Sequence, residues 1–247
     1  MQINIVWLDS IDSTNSEAFR KMDVSEEGRV WAARFQTAGR GQKGNSWESA
    51  VGQNLTFSVL LKPEFLPAER QFLVSEVAAL AVCDLLRDWG LEASIKWPND
   101  IYIGDKKIQG MLIEHFLSGM ALAASIVGIG VNLNQERFAS DAPNPTSVYV
   151  ETGKKQDVDA ALELFMRHLQ GWYARLRAGE EEAIEAAYCE KLYRRDIWAP
   201  YIRGADQTPF EGKILGIDKY GCLRVALRDG TEECFAFKEI QYVIKHL

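Results

Sequence analysis

Ala93-Ser94-Ile95-Lys96-Trp97-Pro98-Asn99-Asp100-Ile101-Tyr102-Ile103-Gly104-Asp105-Lys106-Lys107-Ile108-Gln109-Gly110-Met111-Leu112-Ile113-Glu114 is the stretch from which the fold can be read. Apolar runs at Ala93–Lys96, Ile101–Ile103 and Lys107–Phe116 predict short strands, with Gly104-Asp105 as a turn. Ser118-Gly119 then separates a further strand, Ala121–Val131. Consecutive strands joined by tight turns make an antiparallel sheet. Lys96 stands at a strand end, just before a turn built from Pro98, Asn99 and Asp100. Its stem is fixed there and its charged head is free. A surface lysine beside a buried Trp97 fits the same residues.

Upstream, Ile3, Ile5 and Trp7 alternate with Asn4, Val6 and Leu8, as in a half-buried strand. Ser13 or Thr14 suits the N-cap of a short helix through Phe19 and Met22, with Glu17 in its first turn. Those hydroxyls read either as a plain cap or as holders of a small polar ligand. Arg29–Phe35 predicts a strand, as does Leu55–Leu60. Glu69–Asp88 is apolar at helical spacing and stops at Gly90. Between the two strands lies Gly39-Arg40-Gly41-Gln42-Lys43-Gly44-Asn45-Ser46-Trp47. Glycines let backbone approach a ligand closely, and successive free N–H groups make an anion-binding concavity. Arg40 adds a bidentate fork and Lys43 a point charge. A solvated surface hairpin is the plainer reading of the loop.

Downstream, Gln135–Ser147 is polar, contains Pro143 and Pro145, and reads as a long loop. Helices follow at Asp157–Arg177, capped by Asp157, and at Glu180–Tyr193. Trp198-Ala199-Pro200 marks a break. Beyond it come short alternating segments at 214–217, 222–227 and 233–237, with Asp229-Gly230 as a hairpin signal. They predict a small β-barrel, too small to be robust alone and expected to pack on the larger part. The class is α+β. Residues 1–199 form one domain, with a mixed, mostly antiparallel sheet flanked by helices, and residues 200–247 a small barrel domain.

The 247 residues are 47% hydrophobic and 26% charged, enough for a substantial core. A net charge of -7 argues against a dedicated nucleic-acid binder. Cys83, Cys189, Cys222 and Cys234 lack the spacing of a disulfide framework or zinc site. His115, His168 and His246 are not spaced for a metal or a triad, so no metal ligand set is expected. No stretch has the length of a membrane span, and the N-terminus lacks a secretory pattern. A cytoplasmic protein without a membrane partner is expected.

Gly110 in one strand and Gly128-Ile129-Gly130-Val131-Asn132 in the next signal close approach of a ligand to the sheet. Asp12-Ser13-Thr14-Asn15, Gln36-Thr37-Ala38-Gly39-Arg40-Gly41, Lys96–Asp100, Lys107–Glu114 and Gly128–Asn132 occur in this order. Together they resemble the biotin–protein ligases. The likeness spans nearly the whole chain and is to the form with a C-terminal SH3-like domain and no N-terminal DNA-binding helix-turn-helix.

The resemblance implies two half-reactions. Biotin's carboxylate attacks the α-phosphate of ATP, and a lysine of a biotin carrier domain of a biotin-dependent carboxylase then attacks the acyl carbon. ATP and biotin are substrates, and Mg2+ is expected to accompany ATP. Arg40 and Lys96 are expected to hold the carboxylate and α-phosphate oxygens as the catalytic pair. Ser13, Thr14, Asn15 and Gln36 are expected to meet the biotin head. Gly39, Gly41, Gly110, Gly128 and Gly130 would leave room for its rings. Gln42, Lys43, Gly44, Asn45, Trp47, Asn99, Lys107 and Asn132 are expected around the nucleotide. The glycine loop is expected to close over ligand and shield the adenylate from water.

Family loops often carry arginines where this chain has Gln42 and Asn45, which points to easier release of the intermediate. Without the helix-turn-helix no repressor role and no DNA partner are expected. A lipoate–protein ligase and a non-catalytic biotin-binding module are the rival readings. The Lys96–Asp100 stretch and the Arg40 loop favour biotin over lipoate.

Overall fold

The computed structural model describes residues 1–42, 45–139 and 144–244. The chain opens with β1 (Asn4–Leu8), α1 (Thr14–Lys21), β2 (Arg29–Ala33), β3 (Leu55–Leu61) and α2 (Phe72–Asp88). Then come β4 (Ser94–Lys96), β5 (Asp100–Ile103), β6 (Lys106–Ser118) and β7 (Ala121–Val131). Three helices follow, α3 (Val148–Thr152), α4 (Val158–Arg177) and α5 (Glu181–Glu190). The last strands are β8 (Trp198–Arg203), β9 (Pro209–Ile217), β10 (Leu223–Leu227), β11 (Glu232–Phe235) and β12 (Ile240–Tyr242).

The first seven strands form one sheet in the order β1-β2-β3-β7-β6-β5-β4. Only β1 and β2 run parallel, because α1 crosses over between them; the other neighbours are antiparallel. Gly104 and Gly119 adopt φ of 57° and 61° in the tight hairpin turns, where a side chain would be strained. The last five strands make an antiparallel sheet, β11-β10-β9-β8-β12.

Strand alternation sorts the large sheet's two faces. Leu55, Phe57, Val59 and Leu61 of β3, with Val127, Ile129 and Val131 of β7, pack into the main core with α2 and α4. α2 is apolar almost all round and is buried along most of its length. Thr56, Ser58, Gly128 and Gly130 fall on the opposite face by the same alternation. There α1 covers one end of the sheet, with Ala18, Leu60 and Ile126 in a smaller core. Residues of the second sheet, among them Tyr201, Ile214 and Val225, belong to the main core, so the two sheets share one apolar interior.

Residues 148–152, for which the sequence carried no expectation, form a short helix, α3; the Ser147 hydroxyl caps it by accepting from the Val150 N–H. β8 runs through the expected break at Trp198–Pro200. Pro200 pairs with Glu211 of β9, and on its other side its carbonyl accepts from the Val243 N–H at 3.4 Å, just past the end of β12, so the proline sits where the β12–β8 ladder stops.

Candidate active site

The glycine loop folds back on itself. The Gly41 N–H donates to the Asn45 carbonyl at 2.8 Å, and the Trp47 N–H donates to the Gly39 carbonyl at 3.0 Å. Lys43 and Gly44, expected to meet the nucleotide, lie outside the described residues. The hairpin closes over the open half of the large sheet's second face. Beneath it is a cavity of about 480 Å³.

The cavity collects most of the residues singled out in the sequence. Ser13, Thr14, Asn15 and Gln36 line one end. Arg40, Gly41, Gln42, Asn45 and Trp47 form the roof. Lys96, Asn99 and Lys107 line another wall, while Gly110, Gly128 and Gly130 lie on its floor. Gly39 and Asn132 are not on the cavity wall. Gly39 sits behind it, where a Cβ would stand 2.5 Å from the Trp47 carbonyl oxygen. Asn132 is buried and its Nδ2 donates to the Thr146 carbonyl, holding the chain after β7 against the body. Its side chain serves that loop.

The floor owes its flatness to register. Gly110 pairs with Gly130, and Leu112 with Gly128, so the glycines share one face of adjacent strands. Protein side chains take up that space. A Cβ on Gly130 would stand 2.2 Å from Cε2 of Trp47, and one on Gly110 2.8 Å from Cζ3 of the same ring. A Cβ on Gly128 would stand 1.9 Å from Oδ1 of Asn15. The indole Nε1 of Trp47 is buried and has no hydrogen-bond partner among the described residues.

Polar groups at the α1 end are bonded to one another. The buried Ser58 hydroxyl lies 2.8 Å from Thr14 Oγ1 and 2.6 Å from Asn15 Oδ1. The Thr14 N–H donates to Gln36 Oε1 at 2.7 Å. Ser13 occupies the N-cap position but makes no side-chain cap bond, so its hydroxyl is not spent on the helix.

Cations gather around Asp100. Lys107 Nζ is 2.8 Å from Oδ1, and Lys96 Nζ is 4.0 Å from Oδ2. Burial holds the Lys96 pKa below the usual lysine value, with Asp100 opposing the shift. The same ammonium faces the rings of Tyr242, 4.9 Å from its centroid, and Tyr102, 5.8 Å from its centroid. Arg40, on the loop, forks onto Glu114 of β6, the closest contact being 2.8 Å. Among the described residues no group of three or more His, Cys, Asp and Glu side chains could hold a metal ion.

Several site residues had no role assigned from sequence. Glu114 lay inside a quoted motif, and Ser58 could have been found from its alternation with Thr56 along β3. Phe237, Lys238, Ile240, Gln241 and Tyr242 reach the cavity from the second sheet, and no local pattern announces that. In the sequence Asp100 stands out only as a turn residue.

The chain is similar to known proteins along most of its length. The model of the biotin/lipoate A/B protein ligase family matches residues 7–132. A biotin–[acetyl-CoA-carboxylase] ligase of Paracoccus denitrificans is 35% identical over 225 residues, 86% of this chain and 90% of the relative. A bifunctional ligase/repressor of Bacillus spizizenii is 29% identical over 258 residues, 94% of this chain and 72% of the relative. A biotin protein ligase of Aquifex aeolicus, solved in complex with biotin and ATP, superposes with a TM-score of 0.81 at 27% identity, covering 96% of this chain and 97% of that one. By the family model and by a relative aligned along most of both chains, this chain belongs to the biotin/lipoate A/B protein ligase family.

Proposed function

We propose that the protein is an ATP-dependent biotin–protein ligase: it activates biotin as biotinyl-AMP and transfers the biotinyl group to a lysine of a carrier domain. The observation that carries the reading is one cavity with a hydroxyl- and amide-lined end and a wall of cations. The reaction joins two anions, a carboxylate and a phosphate, that repel in solution. Its principal demand is charge neutralisation and alignment. In the first step a carboxylate oxygen bonds to the α-phosphorus and pyrophosphate leaves. In the second, the carrier amine bonds to the acyl carbon and AMP leaves. Arg40, Lys96 and Lys107 supply the positive charge. Ser13, Thr14 and Gln36 suit the polar edge of the ureido ring, which must find partners once buried. Trp47 and the glycine floor supply apolar walls. Magnesium enters as part of the nucleotide substrate, whose phosphates it binds.

Two further assignments belong to this reading. Residues 1–199 act as the catalytic domain and 200–247 as a small SH3-like barrel, a reading supported by the five-stranded antiparallel sheet that β8 opens at Trp198. No helix of the described residues is long and apolar enough to cross a membrane; we infer a cytoplasmic enzyme whose macromolecular partner is the carrier domain and not DNA.

The test is incubation with MgATP and an apo carrier domain, with either biotin or lipoate, read by intact mass of the carrier. A biotinyl mass shift, lost with Lys96→Ala, is the expected result. A lipoyl shift would transfer the protein to the other branch of the family. Tight biotin binding with no adduct would make it a sequestering module.

A further inference from the structure

Glu114 touches both the glycine loop and the α1 end of the cavity. Its Oε1 and Oε2 accept from Arg40 at 2.8 and 3.3 Å. Oε2 also accepts from Asn15 Nδ2 at 2.9 Å. Asn15 is held in turn: its Nδ2 reaches the Leu112 carbonyl at 3.2 Å, and its Oδ1 lies 2.6 Å from the Ser58 hydroxyl. Asn15 also fills the space left by Gly128, so it has no freedom to shift toward that strand. A continuous chain of hydrogen bonds therefore runs from Ser58 on β3, through Asn15 on α1 and Glu114 on β6, to Arg40 on the loop.

Arg40 by itself is badly placed to be a fixed group. It sits in a loop with glycines on both sides, and its side chain is 45% exposed. A long, solvated side chain loses rotamer freedom when ordered, and a mobile cation contributes little to a transition state. A two-point carboxylate fork restricts the guanidinium plane as well as its position. Because the fork leaves guanidinium N–H groups unused, Arg40 can face an anion in the cavity while Glu114 still holds it.

We propose that Glu114 is a positioning residue for the ligase reaction, which sets Arg40 over the cavity and ties that setting to the Ser58–Asn15 end where the biotin head is expected. The inference rests on the functional reading above. Glu114 acts through Arg40 and not by a bond of its own to substrate.

A double-mutant cycle tests it. Biotin-dependent exchange of labelled pyrophosphate into ATP is measured for wild type, Glu114→Gln, Arg40→Ala and the double variant, with thermal unfolding of each. The expected result is a loss of about tenfold or more in kcat/KM for Glu114→Gln, and no further loss when it is added to Arg40→Ala. Glu114→Asp, which keeps the charge but withdraws it by one methylene, should fall between wild type and Gln; it also serves if the Gln variant does not fold. Independent, additive losses, or an unchanged rate for Glu114→Gln, would overturn the proposal. Absence of biotin-dependent exchange in the wild type would instead remove the ligase reading itself, so the two failures are distinguishable.

Discussion

Glu76 shows what one buried side chain can do to this fold. It sits on α2 with 2% exposure, and its Oε2 has no hydrogen-bond partner among the described residues. Burial, reinforced by nearby Glu185, pushes its pKa from 4.5 up to about 8. The folded state therefore keeps a proton that the unfolded chain releases between those values. Stability should fall as pH rises through that window and level off above it. Glu76→Gln cannot ionise, so its melting curve should be flatter between pH 5 and pH 8. The difference should be several degrees, at about 2–4 °C per kcal/mol for a chain of this size. Parallel Tm–pH curves for the two proteins would contradict this. Burial likewise disfavours the charged form of Lys96, which for a base lowers the pKa instead of raising it. The Tyr242 and Tyr102 rings and the Asp100 carboxylate offset part of that cost.

At the scale of elements, the two arms of the glycine loop, residues 39–42 and 45–47, and the β6–β7 pair form one device. The loop is seated at two points, Trp47 on the glycine floor and Arg40 on Glu114. Gly130→Ala would drive a methyl into the indole, from which a Cβ would be 2.2 Å, whereas at Gly110 the nearest ring atom is 2.8 Å away. Gly130→Ala should therefore unseat Trp47 and loosen the hairpin more than Gly110→Ala does. Faster cleavage of the loop by a dilute protease and a larger loss in kcat/KM for biotin should appear together, up to about a hundredfold for Gly130→Ala if the loop groups shift by about 1 Å. Equal effects of the two alanines would contradict the seating. The hairpin signals and the close-approach glycines were legible because turn chemistry and glycine placement are local. That Trp47 is what fills the glycine floor was not legible, since residues 47 and 130 are distant in sequence and meet only through the sheet register.

Over the whole molecule, the second sheet completes the cavity. Trp97 Nε1 donates to the Gly221 carbonyl at 2.9 Å, and the Trp97 and Phe237 rings lie 6.2 Å apart. Tyr242 of β12 presents its ring to Lys96. Tyr242→Leu should lower kcat for adenylate formation by about 2- to 30-fold, the range of a partly desolvated cation–π contact. Tyr242→Phe keeps the ring and should retain most of the activity. Similar losses in both variants would show that the hydroxyl, not the ring face, matters. The antiparallel β4–β7 run, the core helices α2 and α4, the glycine loop, and Lys96 and Lys107 as cations near a turn all followed from the chain itself. Each depends on periodicity, turn residues or charge over a few neighbours, and such physics is written locally. The parallel pairing of β1 with β2, the burial of Asn132 in a loop contact, the Ser58–Asn15–Glu114–Arg40 chain and the entry of Tyr242 into the site were decided only by the tertiary structure. All of these join residues that are not neighbours in sequence: the strand order of the first sheet and the loops at its edge make the first three, and packing of the second sheet on the shared core brings Tyr242 to Lys96.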